Sequence, residues 1–136
     1  MEIIFLCVAN SARSQIAEGL ARAMAPQGVN VQSAGSAPTT VRPESIQVMA
    51  EIGIDISTHH AKGLDAIELD NAGLVVTLCA EEACPILPGT VRQLHWPIPD
   101  PAADPELPDT LEGFRQARSQ IQGRLVELFS QPLSLP

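Results

Sequence analysis

Short apolar runs alternate along the chain with longer segments in which apolar residues recur at helical spacing. The continuous β-favouring run from Ile3 to Leu6 predicts a strand buried on both faces, and the run from Leu74 to Leu78 predicts another. Val29 to Ser33 and Arg92 to Trp96 predict two further strands. Because helical patterns separate these strands, the sequence favours a parallel sheet with right-handed crossovers.

Three longer segments carry the helical period. The first runs from Ser14 to Met24, the second opens at Pro43 and ends at Gly53, and the third opens at an acidic capping box formed by Asp109 and Glu112. The inward stripes of the first and third helices are Ile16, Ala17, Leu20 and Met24, and Leu111, Phe114, Ile121, Leu125 and Leu128. A short helix is expected between the third and fourth strands. The sequence therefore predicts a single α/β domain over residues 1–136, a four-stranded parallel sheet with helices on both faces and a tail that frays from 130 to 136.

Composition narrows the class of protein. A chain of 136 residues that is 45% apolar fits one compact domain. With a formal charge of -8, the chain lacks the excess of basic residues that is typical of a nucleic-acid or membrane-surface protein. An anionic substrate therefore needs a local binding site. No apolar run approaches the roughly 20 residues of a spanning helix, and the amino terminus lacks a basic segment. We therefore expect a cytoplasmic protein whose three cysteines are free for chemistry.

The turn after the first strand carries the clearest chemical pattern. Ligands of parallel sheets bind at the carboxyl ends of strands, and here Cys7 and Arg13 stand six positions apart before a helix. Such a loop can direct its N–H groups inward around a tetrahedral oxyanion, and the same field favours the Cys7 thiolate. The Arg13 guanidinium can bind two of the oxyanion oxygens. Asn10 suits a left-handed loop position, while Ser14 can cap the helix and donate to Cys7. The expected oxyanion-binding residues are Val8, Ala9, Asn10, Ser11, Ala12, Arg13 and Ser14.

Taken alone, this turn also fits a buried structural cysteine followed by an ordinary polar turn. The wider sequence favours the functional interpretation. It resembles the superfamily of low-molecular-weight protein tyrosine phosphatases and thioredoxin-coupled arsenate reductases over nearly the whole chain. The resemblance rests on Cys7, Asn10-Ser11, Arg13-Ser14-Gln15, Ala17-Glu18-Gly19, Ser33-Ala34-Gly35, Gly53-Ile54-Asp55-Ile56-Ser57, Val75-Val76-Thr77-Leu78-Cys79, Cys84-Pro85, His95-Trp96 and Asp100-Pro101.

The resemblance implies a proton donor at the Asp100-Pro101 step. A thiolate that attacks an oxyanion needs an acid to protonate the departing oxygen. Five of the twelve residues from Pro97 to Pro108 are proline, so Asp100 stands in a stiff surface loop of the kind that often carries function. Asp104 also precedes a proline, but it lies farther from the strand and outside the family pattern, so it ranks second.

The resemblance also implies a relay of three cysteines. Cys7 would attack arsenate, Cys79 would resolve the adduct into a Cys7–Cys79 disulfide, and Cys84 would exchange into a Cys79–Cys84 disulfide that thioredoxin reduces. Two departures from the family stand out. Relatives generally place more residues between the resolving pair, and many have an additional cysteine at Ala12, which the relay does not need.

Glu18, Ser33 and Asn10 fall where reductase relatives build a monovalent cation site. The potassium-binding relatives carry an aspartate where Lys62 stands here, so its ammonium can replace the ion and pair with Glu18; the alternative is a solvated loop lysine. His59, His60 and His95 have no zinc-site spacing with the cysteines, and no cofactor motif is present, so we expect neither metal nor cofactor.

Two other functions remain open at this point. A protein tyrosine phosphatase would need only Cys7, Arg13 and Asp100. The chain contains no tyrosine that could pack against an aromatic substrate, which weakens this alternative. A non-catalytic oxyanion sensor or thiol-partner binding module would bind the anion without turnover.

Overall fold

The computed structural model describes residues 1–80, 91–101 and 110–130 of the chain. Four strands form one sheet, namely β1 (Glu2–Cys7), β2 (Asn30–Gly35), β3 (Leu74–Thr77) and β4 (Gln93–His95). Three α-helices accompany them, namely α1 (Arg13–Met24), α2 (Pro43–Ala50) and α3 (Thr110–Phe129). Two single-turn 3-10 helices, Leu64–Ala66 and Leu69–Asn71, precede β3. The predicted α/β fold is confirmed, because each predicted strand and each of the three longer helices has its counterpart.

The sheet is parallel throughout, in the order β2-β1-β3-β4. β1 is central, and its last residue, Cys7, pairs with Gly35 at the end of β2. On the other side Leu6 pairs with Thr77 of β3, and the N–H of Leu78 donates to the Leu6 carbonyl at 2.9 Å. The loop after β1 therefore lies beside the residues that follow β3.

The three α-helices pack on one face of the sheet, and among the described residues the 3-10 region packs on the other. On one face Ile3 and Phe5 of β1 belong to a core that includes buried residues of all three α-helices. On the other face Ile4 and Leu6 pack in a second cluster, to which Leu64, Ile67 and Leu69 of the 3-10 region are added. Successive side chains of a strand point to opposite faces of the sheet. Because both faces of β1 are buried, its sequence is a continuous apolar run.

Some predicted features lie outside the described residues: the short helix between β3 and β4, residues 102–108 of the proline-rich loop, Asp109, and the tail from 131 to 136. The described start of the loop is anchored in the core. Trp96 and Ile98 are buried, and the Trp96 ring centroid lies 6.3 Å from that of Phe5. In the part of the chain that the structure describes, no helix is long and apolar enough to span a membrane.

An ion-pair cluster joins the end of α2 to α3. The Glu51 carboxylate lies 2.8 Å from Arg115 Nη2 and 2.8 Å from Arg118 Nη1. Hydrogen bonds from these two guanidinium groups lower the pKa of Glu51 to about 2. The cluster therefore restrains two helices that are distant in sequence.

Glu51→Gln is expected to lower the Tm by a few degrees at neutral pH. Because the folded-state pKa of Glu51 is depressed, its contribution is fully present above the ordinary value of 4.5 and is lost as pH falls from there towards about 2. Thermal unfolding at a series of pH values measures this. Glu127→Gln, which alters an exposed carboxylate of α3, is the matched control, and equal Tm shifts for the two variants would contradict the assignment.

Candidate active site

The expected nucleophile lies at the carboxyl end of the central strand. Cys7 is a free thiol and only 2% exposed. The neighbouring strand ends in Gly35, where an added Cβ would meet the Val8 carbonyl oxygen at 2.3 Å and the Asn10 nitrogen at 2.9 Å. The absence of a side chain at Gly35 thus allows the loop after Cys7 to pack directly on the end of β2.

The loop from Val8 to Ala12 is held by its carbonyl groups. The carbonyls of Val8, Ala9 and Ser11 accept the N–H groups of Ala37, Thr39 and Arg42, at 2.8, 3.0 and 2.9 Å. In a trans peptide the C=O of one residue and the N–H of the next residue point in opposite directions. Because the Val8 and Ser11 carbonyls point at segment 37–42, the N–H groups of Ala9 and Ala12 point away from it. Both residues line a cavity of about 200 Å³. This arrangement fits the anion-binding loop that the sequence predicts, and we refer to residues Val8 to Ala12 as the cradle.

This cavity brings three predicted catalytic residues together. Its lining consists of Cys7, Val8, Ala9, Ser11, Ala12, Arg13 and Asp100. Asn10 and Ser14 do not line it and instead lie buried behind it. The cavity thus combines a thiol, a guanidinium and a carboxyl group around one small polar space. Asp104, the second candidate for proton donor, lies outside the described residues.

Arg13 also ties the cradle to the two loops that follow β3 and β4. Its side chain is 6% exposed, and Nη1 donates to the Leu78 carbonyl at 3.4 Å and the Ile98 carbonyl at 3.0 Å. Leu78 immediately precedes Cys79, and Ile98 stands two residues before Asp100. The Arg13 guanidinium therefore holds the starts of the two segments that lead to Cys79 and Asp100.

The start of α1 differs from the expectation in one respect. Ser14 was expected to cap the helix, but α1 begins at Arg13, and its N-cap is Ala12, which makes no side-chain cap bond. The Ser14 hydroxyl lies instead 2.9 Å from Cys7 Sγ, as predicted for its second role. A first turn without a side-chain cap leaves N–H groups for an anion.

Behind the cradle, Asn10 has the predicted left-handed conformation, with φ at 50°. Its amide nitrogen contacts Ser14 Oγ at 2.8 Å and Ser33 Oγ at 3.0 Å. The Ser33 hydroxyl donates to Glu18 Oε1 at 3.1 Å, and Lys62 Nζ lies 3.6 Å from the same oxygen. The four supporting residues predicted from the sequence therefore meet in one buried network.

The charge of Glu18 is balanced within this network. Burial by itself raises the pKa of this carboxyl, but the hydrogen bond from His59 and the positive charges of Lys62 and Arg22 outweigh it, so the pKa is lowered. A carboxylate below an anion loop would repel the substrate. Its neighbouring cations offset that repulsion locally.

The two cysteines predicted to resolve the adduct differ in how far the structure describes them. Cys79 follows the end of β3, is 1% exposed and is disulfide-bonded, so the expectation of three free cysteines is wrong for this residue, which becomes a thiol only after reduction. It stands on the strand next to Cys7 and at the same edge of the sheet. Cys84 lies outside the described residues.

His59 and Gln15 are site residues that the sequence did not assign to the anion site. His59 Nδ1 lies 2.9 Å from Glu18 Oε2 and 3.0 Å from Gln15 Oε1. Gln15 belongs to a motif of the resemblance, but nothing in the spacing of His59 indicated these contacts. Among residues 1–80, 91–101 and 110–130, no group of three His, Cys, Asp or Glu residues could hold a metal ion.

A parallel sheet with a Cys7-to-Arg13 oxyanion loop after its first strand defines a class of thiol enzymes with a phosphatase-like fold. Residues 2–134 match the low molecular weight phosphotyrosine protein phosphatase family, and the chain belongs to this family. It is 46% identical over 122 residues to an arsenate reductase of Staphylococcus aureus, covering 88% of this chain and 89% of that protein.

Solved structures give the same picture. An arsenate reductase from Archaeoglobus fulgidus superposes with a TM-score of 0.82 at 30% identity, covering 95% of this chain and 99% of that one. A thioredoxin-dependent arsenate reductase of Corynebacterium glutamicum superposes with a TM-score of 0.69 at 30% identity, covering 95% of this chain and 60% of that one.

Proposed function

We propose that this protein is an arsenate reductase that forms a Cys7–arsenic adduct and is regenerated by thioredoxin. The observation that carries the proposal is the cavity shared by Cys7, Arg13 and Asp100, with a second cysteine, Cys79, after the neighbouring strand. Arsenate reductases are among the similar proteins, one of them thioredoxin-dependent. The relay uses protein thiols as reductants and therefore fits a reducing compartment such as the cytoplasm.

The first step joins the nucleophile to the oxyanion. The Cys7 thiolate attacks arsenic while Arg13 and the loop N–H groups bind the remaining oxygens, and Asp100 protonates the departing oxygen, which leaves as water. The product is a Cys7–arsenic adduct with arsenic still in its pentavalent state. No electron has been transferred at this point.

The second step transfers the electrons. Cys79 attacks the Cys7 sulfur, the sulfur–arsenic bond breaks, and its electron pair leaves with arsenic as trivalent arsenite. The two thiols are oxidised together to a Cys7–Cys79 disulfide. Cys84 then attacks Cys79 and releases Cys7, and thioredoxin reduces the Cys79–Cys84 disulfide.

The assay that tests this function couples arsenate to NADPH oxidation through thioredoxin and thioredoxin reductase. Wild type should oxidise NADPH only when arsenate is present, and Cys79→Ser should not. A parallel assay with an aryl phosphate tests the phosphatase alternative, because that reaction needs Cys7, Arg13 and Asp100 but not Cys79. Aryl phosphate turnover without arsenate-dependent oxidation would overturn the reductase proposal, and oxyanion binding without either activity would indicate a sensor.

We further propose that Lys62 supplies the positive charge that a monovalent cation provides in potassium-binding relatives. Its side chain is 19% exposed, and its ammonium lies 3.6 Å from the buried Glu18 carboxylate. It is also the only lysine in the chain. A second cation does not fit well beside this ammonium, because the two like charges would repel each other.

Wild-type activity is therefore expected to be nearly equal in potassium and sodium salts at matched ionic strength. Lys62→Asp should lower activity in sodium and recover part of it in potassium, because the new carboxylate pair can bind an ion. Lys62→Arg is the control that keeps the charge and should remain insensitive. Strong activation of the wild type by potassium would contradict the proposal.

A further inference from the structure

Main-chain groups fix the orientation of two buried amides behind the cradle. The Lys62 N–H lies 2.9 Å from Asn10 Oδ1, so that oxygen accepts and the Asn10 amide nitrogen faces Ser14 and Ser33. The Gln15 amide nitrogen lies 3.2 Å from the Asn10 carbonyl and 3.1 Å from the His60 carbonyl. Carbonyls only accept, so Gln15 Oε1 must face His59.

These orientations fix the proton on His59. Its Nδ1 lies 3.0 Å from Gln15 Oε1 and 2.9 Å from Glu18 Oε2. Both of these oxygens are acceptors, since the lowered pKa keeps Glu18 ionised. His59 Nδ1 therefore carries the hydrogen and shares it between a glutamine and a carboxylate.

The contacts of Ser14 link this network to Cys7. Its hydroxyl oxygen receives a hydrogen bond from the Asn10 amide nitrogen at 2.8 Å, and this nitrogen cannot accept one in return. Among the described residues, the other side-chain contact of Ser14 is with Cys7 Sγ at 2.9 Å. A Cys7 thiol could donate to the Ser14 oxygen, which has a second acceptor site, but next to a Cys7 thiolate only the Ser14 hydroxyl can donate, and this direction stabilises the thiolate.

We propose that His59 is a positioning residue for the Cys7 nucleophile, acting through Gln15, Glu18, Asn10 and Ser14. Gln15 and Glu18 are 0% and 2% exposed. Without the Nδ1 hydrogen of His59, Gln15 Oε1 and Glu18 Oε2 are buried acceptors that have lost a donor. This loss favours reorientation of Gln15 and loss of the hydrogen bond from its amide nitrogen to Asn10 Oδ1. The inference rests on the proposed function only in taking Cys7 as the nucleophile.

The test measures how fast iodoacetamide alkylates Cys7 at pH 7, followed by peptide mapping. His59→Leu is expected to slow alkylation about fivefold, the order of one hydrogen bond to a buried group. His59→Asn, whose amide nitrogen can occupy the place of Nδ1, should stay within about twofold of wild type. Thr58→Leu, an equivalent change at the exposed neighbouring position, should have no effect.

Protection by inorganic phosphate separates positioning from folding. Phosphate should slow alkylation of Cys7 in every folded variant, because the cradle itself is held by segment 37–42. Should His59→Leu fail to fold, His59→Asn is compared with His59→Gln, whose amide lies one methylene farther out and should react more slowly. Equal rates for these two, or a wild-type rate for a folded His59→Leu, would overturn the inference. Alkylation requires no arsenate turnover, so its outcome is independent of the reductase assay.

Discussion

Cys84→Ser is expected to confine the protein to a single turnover of arsenate. Cys7 and Cys79 can still reduce one arsenate and form their disulfide, but no third thiol is left to release Cys7. Rapid mixing of the reduced variant with arsenate should yield about one arsenite per protein, and peptide mapping should find Cys7–Cys79. Multiple turnovers in the thioredoxin-coupled assay should be lost.

Cys79→Ser is the matched control, because it removes the preceding step. This variant should release no arsenite and form no Cys7 disulfide, while phosphate still protects Cys7 from alkylation. Wild type treated with arsenate and no reductant should accumulate Cys79–Cys84. Full multiple-turnover reduction by Cys84→Ser with thioredoxin would show that the three-thiol relay is wrong.

Asp100→Asn is expected to lower kcat for arsenate reduction by about 10²- to 10⁴-fold, the usual contribution of a general acid. Asparagine keeps the size of the side chain and its place in the lining of the cavity, but it cannot give a proton to the departing oxygen. The KM for arsenate should change little, since Arg13 and the loop N–H groups remain. Steady-state kinetics with excess thioredoxin separates the two parameters.

Asp104→Asn provides the comparison within the same proline-rich loop. It also replaces an aspartate before a proline and should retain nearly full activity. A large loss for Asp104→Asn together with a small loss for Asp100→Asn would move the proton donor to Asp104.

The sequence was sufficient to predict the fold and the position of Cys7 at the end of the first strand. Runs such as Ile3 to Leu6 define strands because burial on both faces leaves no polar position, and the end of the first strand locates Cys7. The left-handed Asn10 was also predictable, because few residues tolerate that conformation in a tight loop. These features depend on local chemistry or on one simple rule of sheet topology.

The contacts behind the cradle were harder to predict from the sequence, because they join residues that are far apart along the chain. His59 lies 44 residues from Gln15 along the chain, and no local pattern indicates that they meet. The expected capping role of Ser14 was wrong for a related reason. Its hydroxyl is taken by Asn10 and Cys7, and the helix starts one residue earlier than its apolar period suggested.

The cradle built from main-chain N–H groups has a consequence for selectivity. Such donors recognise tetrahedral shape and negative charge, properties that arsenate and phosphate share. We expect discrimination to arise after binding, because pentavalent arsenic can accept two electrons from a pair of thiols, whereas a phosphocysteine is hydrolysed without a change of oxidation state. Phosphate is therefore expected to compete with arsenate for the cradle without being consumed. The rate of arsenate reduction is then expected to fall as phosphate rises at a fixed arsenate concentration.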